Sequence, residues 1–206
     1  MKLHTAFITY NRLELTKRAI KSYLETVSVP YTFVVVDNGS TDGTEEWLRD
    51  NVANYLLLGR NTYPGFACNR GWELGDGEVT FFHRADNDFA YLRGWCEEAI
   101  RRFQVDNIGQ VGLRTGPEEM YARWNVGGNC IIRRKLWDDG LRYNETPWPD
   151  LPAGFSEDSF LSPEVVKMGY RWTRVNRPCI VSLASGDWDD EYYQKSYGDR
   201  RIERPS

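Results

Sequence analysis

Apolar runs of strand length alternate with amphipathic stretches along the first half of the chain. Leu3-His4-Thr5-Ala6-Phe7-Ile8-Thr9 reads as a first strand. From Leu13 to about Ser28, apolar residues recur at helical spacing (Leu13, Ala19, Ile20, Tyr23, Leu24, Val27). Tyr31 to Asp37, built on Val34-Val35-Val36, reads as a strand buried on both faces. The run stops at a carboxylate and passes into Asn38-Gly39-Ser40-Thr41-Asp42-Gly43, residues that favour turns. A helix begins at Thr44, with Asp42 placed to cap it and Glu45 spaced for a capping box.

Tyr55 to Leu58 is a short third strand, followed by the Gly/Pro/Asn-rich stretch from Gly59 to Gly71, which opens a helix to about Gly75. Val79 to His83 is a fourth strand, Leu92 to Phe103 an amphipathic helix and Val111 to Leu113 a fifth strand. This β-α-β order predicts a mostly parallel sheet with right-handed crossovers, a three-layer α/β/α arrangement of Rossmann type. Beyond Arg114 the pattern loosens. Cys130 to Ile132 is a strand candidate, Arg134 to Trp137 one helical turn, and Glu157 to Met168 a helix with Pro163 in its first turns and Gly169 at its end. Arg171 to Val175 and Cys179 to Leu183 are late strands.

The 206 residues fit one domain, able to bury roughly 70% of its unfolded surface without staples. Residues 1–113 form one half, 114–183 a smaller second half and 184–206 a tail. A formal net charge of -4 gives no basic footprint for nucleic acid. Cys68, Cys96, Cys130 and Cys179 lack C-x-x-C spacing and read as buried free thiols of a reducing compartment. No apolar run reaches the ~20 residues of a membrane span and no signal-peptide core follows Met1, so a soluble, cytoplasmic protein is expected. A homodimer is compatible with this reading.

Polar groups collect where strands end: Thr9-Tyr10-Asn11-Arg12, Asp37, and Asp86-Asn87-Asp88. In an open α/β sheet, ligands bind beyond the carboxyl ends of strands. Asp37 either faces such a ligand or only caps its turn. Asp86 and Asp88, one residue apart, can aim two hard oxygen donors at one point, which suits Mg²⁺ or Mn²⁺ with a substrate phosphate. Glu157 and Asp158 open a helix, where the macrodipole favours acids; the functional alternative is that Asp158 is a general base.

These residues together resemble the family 2 glycosyltransferases. The matching segments are Thr9 to Arg12, Val34 to Thr44, Asn61 to Gly71 with its Gly-x-x-x-Asn-x-Gly ending, Asp86 to Asp88, Gly127 to Arg134, and Glu157-Asp158, in the family's order. The resemblance implies the GT-A fold, a small acceptor-side subregion, and a nucleotide-sugar donor, with a UDP-sugar favoured. It places Thr9, Tyr10, Asn11 and Arg12 around the nucleoside and Asp37 on the base. Asn69, Asn87 and Asp86 join the nucleotide-sugar site, Asp86 and Asp88 the metal. Asp158 would deprotonate an acceptor hydroxyl beside Glu157, in a single displacement that inverts the anomeric carbon.

Relatives often carry a late metal-contacting histidine. Here only His4 and His83 exist, both read as structural, and Asp187 stands as the substitute ligand. Trp124, Trp148 and Trp188 are candidate platforms for an acceptor sugar. A nucleotidyltransferase is disfavoured because Thr9 to Glu14 contains no glycine for a phosphate loop. The remaining alternatives are an inactive nucleotide-sugar-binding module, and transfer to modified DNA or protein instead of a glycan.

Overall fold

The structure, a computed structural model, describes residues 1–116 and 124–184. Its elements run β1 (Leu3–Thr9), α1 (Leu13–Thr26), β2 (Tyr31–Asp37), α2 (Thr44–Asn51), β3 (Tyr55–Leu57), α3 (Tyr63–Trp72), β4 (Phe81–Asp86) and β5 (Phe89–Tyr91). They continue as α4 (Trp95–Arg102), β6 (Ile108–Gly112), β7 (Cys130–Arg133), α5 (Arg134–Asp138), α6 (Leu161–Lys167), β8 (Arg171–Arg174) and β9 (Ile180–Ser182). Single 3-10 turns cover Trp148–Asp150 and Glu157–Phe160.

The valine run shows how the sheet divides the core. Val35 faces one side with Leu3, Phe7, Tyr23, Phe81 and Trp95. Val34 and Val36 face the other with Ala6, Ile8, Trp72, Phe82 and Ile132. Alternating side chains of one strand thus feed two apolar layers, as strand geometry requires. α1, α2 and α4 cover the first face, α3 and α6 the second.

The seven strands lie in the order β3-β2-β1-β4-β7-β6-β8. The β3-β2-β1-β4 half is parallel, as predicted. The second half departs from the expected pattern. β7 inserts antiparallel between β4 and β6, so β6 does not pair with β4. β9 leaves the sheet and pairs with β5, a strand the sequence pattern did not predict. β4 also extends to Asp86, past the expected end at His83, because Arg84 and Asp86 satisfy each other within the sheet.

Asp42 does not cap α2 through a capping box. Gly43 is the N-cap, at φ 90°, while Glu45 pairs with Arg49. One Asp42 oxygen accepts from Thr44, and the other accepts from the backbone N–H of Leu13 at 2.9 Å, tying the starts of α1 and α2 together. A reciprocal box forms at Ser156 and Ser159, at the start of the Glu157 turn. Gly169, at φ 85°, ends the α6 segment as expected.

All four cysteines are buried and free. His4 and His83 are buried, and desolvation lowers the pKa of both, His83 to about 3. His4 bonds Thr32 and the Gly71 carbonyl, and His83 bonds Thr5, so both are structural as read from the sequence. Among the described residues no helix is long and apolar enough to cross a membrane.

α3 rests on β1 at Gly71. A Cβ there would lie 2.6 Å from the Ala6 Cβ and 3.0 Å from Val36 Cγ2. Gly71→Ala is expected to cost about 1–3 kcal/mol by overpacking, read as a lower denaturant midpoint with unchanged slope.

Candidate active site

The crossover helices change faces between β1 and β4: α1 lies on the first face and α3, leading into β4, on the second. Such a switch opens a crevice at the carboxyl ends of the two strands. The register sets three ends level there, with Thr9 opposite Asp37 and Ile8 opposite Asp86.

Loops from β1 and β2 interlock around the crevice. The Asn11 N–H donates to Ser40 Oγ at 2.7 Å, and the Thr41 N–H donates to Asn11 Oδ1 at 2.7 Å. Asn11 and Arg12 both hold positive φ, 54° and 60°. Non-glycine residues rarely adopt that conformation, and here the surrounding bonds hold it. The Asp37 carboxylate, 1% exposed, accepts from the Ser40 N–H at 3.0 Å and from its hydroxyl. Burial raises its pKa while the Ser40 bonds oppose the rise. Asp37 therefore does cap its own turn. The Asn87 amide nitrogen donates to Thr9 Oγ1, the Asn11 carbonyl and Thr16 Oγ1, which spends it on joining the β4 end to β1 and α1.

Asn69 is fully buried. Its amide donates to the Tyr143 carbonyl and Glu145, and its oxygen accepts from the Tyr143 N–H at 3.0 Å. The structure gives it the task of holding the Tyr143–Glu145 segment against α3.

The carboxylates of Asp86 and Glu157 meet on one cation. Arg84 is 4% exposed; its Nε donates to Asp86 Oδ1 at 2.9 Å and its Nη1 to Glu157 Oε1 at 2.6 Å. Arg84 and Asp86 stand two apart in a strand, so they share a face. The guanidinium also lies 5.0 Å from the Tyr143 ring centre. Trp148 Nε1 donates to the second Glu157 oxygen. Asp86 Oδ2 accepts from Asn129 Nδ2 at 3.1 Å, and Asn129 Oδ1 accepts from the Tyr91 hydroxyl at 3.2 Å. At Gly128 a Cβ would come within 2.9 Å of Arg84 Nη2 and Asp86 Oδ2, so a side chain there would push the ends of the pair aside. Asp158 follows Glu157, accepts from the Ser156 hydroxyl and faces Gly127. On the other side of Asp86, Asp88 is nearly buried, 3.3 Å from Arg12 Nη1.

Charge in this cluster does not balance. Asp86, Asp88, Glu157 and Asp158 carry four negative charges when ionised, against two on Arg12 and Arg84. The surplus adds to the effect of burial on two of these carboxylates. Burial and then the Asp86 charge push Asp88 up to about 6, with Arg12 opposing. Burial and then Glu157 push Asp158 up to about 6, with Arg84 opposing. A divalent cation fits such a site: two hard carboxylates supplying part of the shell, with diphosphate and water completing it. No group of three or more His, Cys, Asp or Glu suited to a metal forms among the described residues. Asp187 and Trp188 lie outside them.

A mostly parallel α/β sheet with acidic strand ends on either side of a topological switch is the GT-A fold of the solved structures it resembles. Glycosyl transferase family 2 matches residues 6–152, and the chain belongs to that family. No curated protein sequence matches it. The mannosyltransferase PcManGT from Pyrobaculum calidifontis, solved with GDP-Man and Mn²⁺, superposes with a TM-score of 0.66 at 20% identity over 85% of this chain. S. aureus TarS 1-349 with UDP-GlcNAc gives 0.67 at 15% identity over 88%. The chain spans 54% and 58% of those two chains.

Arg84 was not singled out by sequence, and Gly128 and Asn129, within the matching Gly127 to Arg134 segment, were given no role there. One signal was available: a charge two residues before Asp86, inside an otherwise apolar strand, needs a buried partner.

Proposed function

We propose that the chain is a metal-dependent inverting glycosyltransferase that moves a sugar from a nucleotide-sugar, a UDP-sugar first among candidates, to an acceptor hydroxyl. The observation that carries this reading is the Arg84 bridge. It joins the Asp86 strand end to the Glu157-Asp158 turn, which supports reading the two as parts of one site. Family membership and the donor complexes of PcManGT and TarS support it.

In this reading Tyr10 and Arg12 line the nucleoside, with Thr9, Asn11 and Asn87 shaping the crevice and Asp37 facing the base. Asp86 and Asp88 hold Mn²⁺ or Mg²⁺, which when bound neutralises charge on the departing diphosphate. Asn69 acts through the Tyr143–Glu145 segment. Asp158 takes the proton of the acceptor hydroxyl as its oxygen bonds to the anomeric carbon and the bond to the diphosphate breaks. Glu157 and Arg84 fix the turn that carries the base. One in-line displacement inverts the anomeric centre.

Three results are expected. Asp158 works only when ionised, and its pKa is raised, so kcat/KM should stay level above about pH 6 and fall about tenfold per unit below it. An inflection near 4 in the pH profile would remove Asp158 as the base. Thermal shifts with UDP, GDP, CDP and dTDP, each with and without Mn²⁺, should show one nucleotide that stabilises only with metal. Saturation at 100 times Kd adds about 2.7 kcal/mol, and Asp88→Ala should abolish it. Proton NMR of the product should show inverted configuration; retention defeats the mechanism. Metal-dependent binding with neither transfer nor donor hydrolysis would assign the chain to the binding modules instead.

A further inference from the structure

The surface beside Asp158 carries an aromatic ledge. Trp124 is 45% exposed and Phe155 41% exposed, and their ring centres lie 5.6 Å apart, tilted by 39°. Phe160 extends the row, 5.7 Å from Phe155. Among the described residues these two are the large exposed aromatics that contact each other.

Two chain segments bring the ledge to the base. Phe155 and Phe160 flank Asp158 on the turn whose shape the Ser156–Ser159 box fixes. Trp124 stands three residues before Gly127, whose position at φ 81° would put a Cβ 3.9 Å from Asp158 Oδ2. Segments otherwise far apart in sequence thus deliver flat apolar rings and one carboxylate to the same place.

We infer that this ledge is the acceptor subsite, and that the acceptor is a pyranoside. The inference rests on the proposed glycosyl transfer. A pyranose presents a face of C–H groups and a rim of hydroxyls. Aromatic rings cover the first, and Ser156 and Asp158 beside them meet the second. The cluster's surplus of negative charge disfavours a polyphosphate acceptor such as DNA. An alkyl chain would gain from the rings but offers no hydroxyl partner for the polar rim.

The test uses the full chain with saturation-transfer NMR and tryptophan fluorescence. The probes are methyl glycosides of glucose, galactose, mannose and N-acetylglucosamine, their β-linked disaccharides, a serine-containing peptide and octanol. At least one glycoside should bind with saturation transfer to its ring protons. Trp124→Ala and Phe155→Ala should each weaken it about tenfold, Trp124→Phe less than threefold, as expected for exposed aromatic contacts. The Kd of the nucleoside diphosphate with Mn²⁺ should not move. No binding of any glycoside, binding indifferent to both alanine variants, or preference for peptide or octanol overturns the assignment. Loss of glycosyl transfer as the function would instead appear as a wild type that binds no nucleotide, while ring binding is still read directly.

Discussion

Asp158→Asn should lower turnover by about 10²- to 10⁴-fold, the usual contribution of a positioned general base. Nucleotide affinity should survive, because Asp158 lies across Arg84 and Asp86 from the β1–β4 crevice. The variant also carries its own control against misfolding. The folded pKa of Asp158 is raised above the ordinary carboxylate value by burial and by Glu157. For a carboxylate raised in this direction, stability is present below the unfolded pKa near 4 and is lost as pH rises through about 6. At pH 7 the ionised group therefore works against the fold, and a neutral asparagine should melt at the same temperature or higher. The difference should vanish by about pH 4. A slow, stable variant identifies a base. A variant that is slow and unstable at pH 7 would mean that Asp158 supports the turn instead, and one that keeps a tenth of wild-type turnover would exclude it as the base.

The carboxyl edge of the parallel half was readable in the sequence because its determinants are local. Three valines followed by Asp-Asn-Gly-Ser specify a buried strand and then a turn, whatever the rest of the chain does. The same holds for β1 and for the acidic end of β4. The insertion of β7 was not readable. An antiparallel strand between β4 and β6 is a long-range pairing, and nothing within Cys130 to Arg133 says which edge it will find. Asn69 shows the limit of motif reading. Its place in a glycine-rich segment suggested a ligand group, yet its partners are Tyr143 and Glu145, more than seventy residues away. Asp37 shows the capping reading, since its oxygens cap the turn at the strand end that borders the crevice.

Arg84 is the residue that sequence patterning hid most fully, and its substitution should have the largest effect on stability. A charge in a run such as Phe81-Phe82-His83-Arg84-Ala85 reads as the end of a strand. The strand continues with Arg84 inside it because Asp86 and, 73 positions later, Glu157 supply its partners. Arg84→Met strands two carboxylates in a nearly dry site, and breaking a buried pair from one side costs about 3–5 kcal/mol. For a chain of this size that lowers the melting temperature by roughly 6–20 °C. Arg84→Met combined with Glu157→Leu replaces the pair by apolar groups, so the double variant should recover much of the loss, with a coupling of about 0.5–3 kcal/mol. Additive losses would show that the two side chains do not act as a unit. Turnover should not recover with stability. Trp148 then lacks the acceptor that fixes it, Asp86 lacks its guanidinium, and the turn carrying Asp158 is no longer tied to the strand that would hold the metal. A double variant that regained both stability and turnover would break the link between the bridge and the chemistry.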